Sequence, residues 1–198
     1  MKLPNDYYLK ADVVAVARDL IGKVLFTRID GQVCAGVISE TEAYAGETDK
    51  ASHAYGGRNT ERTRVMYENG GISYVYLCYG IHHLFNVVTN VAGVPHAVLI
   101  RGIYPLLNAE IMFNRRGVKG RDSGTAFNGP GKVSKALGIG VAHNRVKLSG
   151  KTIWIEDRNL QFNPGKLLVT PRIGVDYAKE DAFLPYRFYL SVSDVNNL

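Results

Sequence analysis

Residues 72–104 read ISYVYLCYGIHHLFNVVTNVAGVPHAVLIRGIY. Three runs rich in β-branched and aromatic residues, 72–79, 82–89 and 97–104, follow one another with short breaks, which predicts three successive strands. Upstream, Asp12 can cap a short helix carrying Val13, Val14, Ala17 and Leu20, with Gly22 just beyond its end. A strand over 23–28, a hairpin turn at Asp30-Gly31 and a returning strand over 33–44 come next. The stretch 46–59 is polar and Gly-rich, hence a loop; 60–67 allows a short helix, which Asn69-Gly70-Gly71 breaks. Downstream, 106–115 reads as helix and 116–128 as a basic, Gly-containing loop. A helix starts at Pro130 and runs to 137, and short strands fall near 152–155, 167–169 and 187–192. Strands and helices do not alternate regularly, which argues against a doubly wound parallel sheet. The expected fold is α+β: a single domain, 1–198, built on a curved, mostly antiparallel sheet with short helices around it.

The composition excludes several classes. No apolar run can span a bilayer, and the first six residues, MKLPND, lack the apolar stretch of a signal peptide. Cys34 and Cys78 are too few for a disulfide framework or a thiolate zinc site, which suits a reducing cytosol. The expected setting is therefore cytoplasmic, without membrane attachment. Charge is unevenly spread: residues 1–100 hold 9 basic and 10 acidic side chains, whereas 101–198 hold 15 and 8. Between Met112 and Lys151 there are 9 basic residues and one acid, Asp122. Such a bias suits either a polyanionic partner or a merely basic surface.

Several constellations could carry chemistry. Glu40 and Glu42 stand two apart on a strand and so share a face; they read either as a solvated strand face or as a general base near a cation. His53 lies in the following loop. The pair His82-His83 points to opposite faces of a strand, and no His, Cys or Asp spacing resembles a metal site, so no metal and no cofactor are expected. Tyr74 and Tyr76 share one face, and Tyr79 sits at a turn before Gly80; this is either a Tyr-rich core or a surface that stacks on bases. Asn86 and Arg101 interrupt apolar runs and, taken singly, read as strand-end or edge positions. The segment Gly129-Pro130-Gly131-Lys132 is a Gly-rich helix entry able to meet a phosphate, without the order of a Walker motif.

Together these segments resemble the alkyladenine (3-methyladenine or methylpurine) DNA glycosylase family. The matching text is Glu40-Thr41-Glu42-Ala43-Tyr44, His53 ahead of Gly56-Gly57-Arg58, Tyr74-Val75-Tyr76 with Tyr79-Gly80, and Asn86. It continues with Val98-Leu99-Ile100-Arg101, Gly129-Pro130-Gly131-Lys132 and Arg187-Phe188-Tyr189. The resemblance spans nearly the whole chain in one order. It implies a protruding β-hairpin that inserts into DNA. Glu42 looks like the catalytic base that activates water, and Arg101 like its partner. Tyr44, His53 and Tyr76 look like the residues that sandwich a flipped base, the backbone around Ala51 and His53 like the reader of its edge, and Asn86 like the screen for purine substituents. Tyr79 looks like the wedge that fills the vacated stack, and Arg58 and Lys132 like contacts to phosphate.

The implied activity is that of a monofunctional DNA glycosylase of base excision repair. It would flip an alkylated or deaminated purine from double-stranded DNA, hydrolyse its N-glycosidic bond and leave an abasic site, acting as a monomer. No lysine falls within the matched pocket motifs, so a Schiff-base step is not expected. The alternative is a non-catalytic DNA- or RNA-binding module with a base-stacking pocket; a carboxylate such as Glu42 near a polyanion separates the two, since binding alone has no use for it.

Overall fold

A computed structural model describes residues 1–118, 125–191 and 194. Of the basic tract at 112–151, Lys119, Arg121 and Asp122 lie outside the described residues, as does Val192 at the end of the last expected strand.

Asp12 caps α1 (Val13–Asp19), its carboxylate accepting from the Val14 and Ala15 amides at 2.9 Å each and so satisfying donors that a helix start leaves free. Strands β1 (Val24–Ile29) and β2 (Gln32–Tyr44) close at Asp30-Gly31, both at positive φ, the conformation that a tight two-residue hairpin needs. The run 72–104 supplies β3 (Ser73–Cys78), β4 (His82–Thr89) and β5 (His96–Leu107), consecutive and antiparallel. The helix expected from 106 starts later, as α2 (Ala109–Arg116). Leu106 and Leu107 remain in β5, and Asn108 turns the chain at φ 56°; two leucines suit either element, and the left-handed Asn108 decides between them. Pro130 opens α3 (Pro130–Leu137). Strands β6 (Ile153–Glu156), β7 (Leu168–Thr170) and β8 (Arg187–Tyr189) follow. The expected helix over 60–67 is a short 3-10 turn, Arg64–Tyr67. An irregular 3-10 segment, Asp176–Phe183, was not signalled by the sequence.

The strands form one antiparallel sheet in the order β3-β4-β5-β2-β1-β6, with β8 joining β2 and β7 joining β8. Among the described residues the helices are few and short, and the fold is α+β. β2 is the spine. It pairs along one edge with β5, and along the other first with β1 and then, through residues 40–42, with β8. Register shifts along β2 and β5 bend the sheet. One of them falls at Arg101: the pairing steps from Glu40↔Gly102 to Thr41↔Ile100, leaving Arg101 as the extra residue. Gly102 is required beside it, because a Cβ there would lie 2.9 Å from the Glu40 Cβ. The main apolar core includes Ile38, Phe85, Ile100 and Leu137, each fully buried.

Candidate active site

The sheet register assembles a row of side chains from four strands. Tyr74 pairs with Asn86, Asn86 with Leu99, and Leu99 with Glu42. Directly paired residues share a face, so one line across β3, β4, β5 and β2 carries an aromatic ring, an amide, an apolar residue and a carboxylate. Neither Asn86 nor Arg101 sits at a strand end or edge, contrary to the reading of each alone. Asn86 lies inside β4, 4 % exposed, where its amide donates to the Tyr74 carbonyl at 3.1 Å. Arg101 lies within β5 as the bulged residue, and a bulge re-aims a side chain.

Nor is the Glu40–Glu42 pair a solvated face. Both are buried, Glu42 completely. Arg101 Nε stands 3.0 Å from Glu40 Oε1 and 3.3 Å from Glu42 Oε1. Arg187 Nε donates to the same Glu40 oxygen at 2.6 Å. Glu40 is thus held between two guanidinium groups, the arrangement that burial of a carboxylate demands. Glu42 shares one of those cations and accepts two further bonds: from the Ile173 amide to Oε1 and from the Tyr44 hydroxyl to Oε2, both at 2.8 Å. Burial pushes the Glu42 carboxyl above its ordinary value, against the lowering pull of Arg101, the Ile173 amide and the Tyr44 hydroxyl. Burial, then the charge of Glu42, lifts the Tyr44 hydroxyl far out of its usual range, so it remains a donor.

Beside these groups opens a cavity of about 450 Å³, lined among others by Tyr44, Ala51, His53, Tyr76, Asn86 and Arg101, within the size range of small-molecule sites. Glu42 does not line it itself but lies buried behind Tyr44, Arg101 and Ile173, which do. Its aromatic wall is close-set. The rings of Tyr74 and Tyr76 lie 5.2 Å apart, and His53 meets Tyr76 edge-on at 4.8 Å. His53 Nδ1 is 2.9 Å from the Tyr74 hydroxyl. Burial, with Arg62 and Arg58 adding, pushes the His53 pKa down to about 4. The ring is therefore neutral at physiological pH and puts no positive charge on the wall. Both main-chain polar groups of Ala51 are already engaged, the amide with Asp49 and the carbonyl with the Tyr177 hydroxyl.

The tip of the β3–β4 hairpin overhangs the cavity. Tyr79 is 91 % exposed and held at φ 50°, a left-handed conformation that costs a non-glycine residue roughly 1–2 kcal/mol. An exposed ring gains no burial that would offset that cost. Arg58 is exposed beside the 3-10 turn Tyr55–Gly57 and does not line the cavity. Lys132 stands in the first turn of α3, its amine donating to the Thr125 carbonyl at 3.1 Å.

Three contributors escaped the sequence reading. Arg62 lines the cavity with its guanidinium 4.6 Å from the Tyr76 ring. Ile173 reaches Glu42 from 131 residues away. Tyr177, 65 % exposed, stands at the rim and holds the Ala51 carbonyl. Arg62 falls in the 60–67 segment, where nothing singles it out, and the two loop contacts from 173 and 177 leave no periodic signal.

The site thus combines a buried carboxylate paired with arginine, an aromatic cleft and an exposed aromatic hairpin at its mouth. The sequence comparisons supply the family. The model of the methylpurine-DNA glycosylase family matches residues 7–194. A protein of Chlamydia felis named "Putative 3-methyladenine DNA glycosylase" is 46 % identical over 190 residues, covering 96 % of each chain. Proteins of the same name from Clostridium perfringens and Bacillus thuringiensis are 41 % and 40 % identical, each alignment covering 96 % of this chain and 96 % and 95 % of the relative. The chain belongs to the methylpurine-DNA glycosylase family. It is accordingly a DNA repair glycosylase, a hydrolase of N-glycosyl bonds. Among the described residues no helix is long and apolar enough to cross a membrane.

Proposed function

We propose that the enzyme flips an alkylated or deaminated purine of the 3-methyladenine type out of duplex DNA and cleaves its N-glycosidic bond with a water activated by Glu42. The observation that carries this reading is the Glu42–Arg101 pair, 3.3 Å apart, in which Arg101 lines the aromatic cavity and Glu42 is buried directly behind Arg101, Tyr44 and Ile173. A glycosidic bond inside a stacked duplex is out of reach, so the nucleotide must be extruded first. Tyr79 wedges into the vacated stack and offsets part of the unstacking cost. The base then lies against Tyr44, His53 and Tyr76, and Asn86 screens its substituents. A purine made cationic by alkylation gains about 0.5–2 kcal/mol from electron-rich rings. The neutral His53 does not oppose it, whereas Arg62, now 4.6 Å from the Tyr76 ring, has to give way for the base to stack there.

As the bond to the base breaks, its electron pair leaves with the purine and the sugar acquires oxocarbenium character. Water attacks C1′, Glu42 takes its proton, and the carboxylate stabilises the developing positive charge. The products are the free base and an abasic site. No lysine lines the cavity among the described residues, which supports hydrolysis without a Schiff base. Arg58 and Lys132 serve the phosphates. One chain, 1–198, supplies every group named, which fits a monomer acting on chromosomal DNA in the cytoplasm.

The test is a duplex carrying one damaged purine incubated with the enzyme. Free base and an alkali-labile abasic site are expected, with no borohydride-trapped covalent complex; intact DNA would contradict the proposal.

A further inference from the structure

The groups that meet the substrate come from segments far apart in sequence, and a single buried ion pair ties those segments together. Arg172 and Asp49 are 0 % and 1 % exposed at their side chains. Arg172 Nη1 and Nη2 donate to Asp49 Oδ2 and Oδ1 at 2.5 and 2.9 Å, a bidentate fork. Each partner then reaches further. Asp49 accepts from the Ala51 amide on Oδ1 and from the Ala45 amide on Oδ2, both at 3.0 Å. Arg172 donates to the Ala43 carbonyl at 2.9 Å and to the Asp181 carbonyl at 3.1 Å. Its guanidinium also lies 4.9 Å from the Tyr44 ring.

The consequence lies one residue on from Arg172. The Ile173 amide donates to Glu42 Oε1, so the fork that fixes Arg172 also fixes a donor on the reacting carboxylate. The same fork, through Asp49, fixes Ala51 and the loop that carries His53. We infer that Arg172 and Asp49 are positioning residues that lock the base-holding loop and the Glu42 carboxylate into one geometry, so that water activation and base capture share a single frame. This inference rests on the glycosylase reading of the cavity.

A buried pair is weak evidence of stabilisation, because desolvating both charges offsets much of their attraction. Its value here is geometric. A lysine at 172 keeps the charge but cannot form the fork, and the Ile173 amide loses its fixed place. Glu42 would then keep its other neighbours: Arg101, Glu40 and Tyr44 from the sheet, Tyr177 from the loop, and the positive charge at 172 that it also feels, which the lysine retains. Losing one hydrogen bond to the ionised carboxylate raises its pKa, so the rate falls away at higher pH on the acid side.

The experiment compares wild type, Arg172→Lys and Asp49→Asn in single-turnover base release from a damaged duplex across pH. Circular dichroism of each variant at the assay temperature confines the comparison to folded protein. Arg172→Lys is expected to lower the rate by on the order of 10²-fold, as a displaced reacting group does. It should also shift the midpoint of the acid limb up by about one to two pH units, the worth of a hydrogen bond to a charged group. Asp49→Asn, should it fold, breaks the same fork and is expected to lower the rate as well; should it fail to fold, the lysine variant alone decides. A folded Arg172→Lys enzyme whose acid limb stays at the wild-type midpoint, whether its rate is kept or lost, would overturn the inference. Wild-type enzyme inactive on every damaged duplex would instead overturn the glycosylase reading.

Discussion

The floor and the rim of the cavity are built in opposite ways. At the floor, Glu42 is fully buried and each oxygen is occupied: Arg101 and the Ile173 amide on one, the Tyr44 hydroxyl on the other. At the rim, Tyr79 stands in solvent in a strained conformation. The floor uses interactions to hold one carboxylate still; the rim accepts strain to hold one ring out. The β1–β2 hairpin makes the contrast sharper. It turns with the same left-handed geometry, but uses Asp30 and Gly31, residues that adopt it at little cost. An aromatic residue placed at such a turn and left exposed points to an occupant that arrives from outside. Floor substitutions should therefore act on chemistry, and rim substitutions on access.

The largest effect is expected at the floor. Glu42→Gln keeps the shape and removes the base, so base release should fall by about 10³-fold or more. Binding to the damaged duplex, measured by fluorescence anisotropy, should stay within a few-fold of wild type. A Gln enzyme that releases base at the wild-type rate would move the role to Glu40. The rim comes next. Tyr79→Ser should slow release from a well-paired lesion by on the order of 10²-fold, since unstacking costs a few kcal/mol per step. The loss should shrink when the lesion is mismatched, and the melting temperature should hold, because the ring is exposed. Equal losses on both duplexes, or a fall in melting temperature, would make Tyr79 a packing residue and erase the contrast. The smallest effect lies outside both regions: Lys132→Ala should weaken binding to damaged and undamaged duplex alike and lower the slope of log K against log salt by about one.

Where the fold was legible, a local rule was at work. Asp12 announces its helix, Asp30-Gly31 its hairpin, and the apolar runs of 72–104 three successive strands. Where it was not, the deciding contact is distant or the local signal is double. Leu106 and Leu107 suit strand or helix, and only the turn at Asn108 separates them. Asn86 and Arg101 look like strand ends because a polar residue in an apolar run normally escapes burial; here the row across the sheet and a bulge give each a partner. The spacing of Glu40 and Glu42 did convey a shared face, but it left solvent and a cation equally open as what satisfies it. It could not name Arg101 and Arg187, which lie 61 and 147 residues from Glu40. The Arg172–Asp49 fork joins residues 123 apart and has no local signature, although it frames half the site.

The acid side of the pH–rate profile tests the role of Glu42 most directly. Burial raises the Glu42 pKa, and only the ionised carboxylate can take a proton from water. Single-turnover base release by wild type should therefore fall as pH drops through a midpoint above the ordinary glutamate value, about 4.3. The residual release by Glu42→Gln, corrected for spontaneous depurination, should show no such limb. An identical acid limb in the Gln variant would contradict Glu42 as the base.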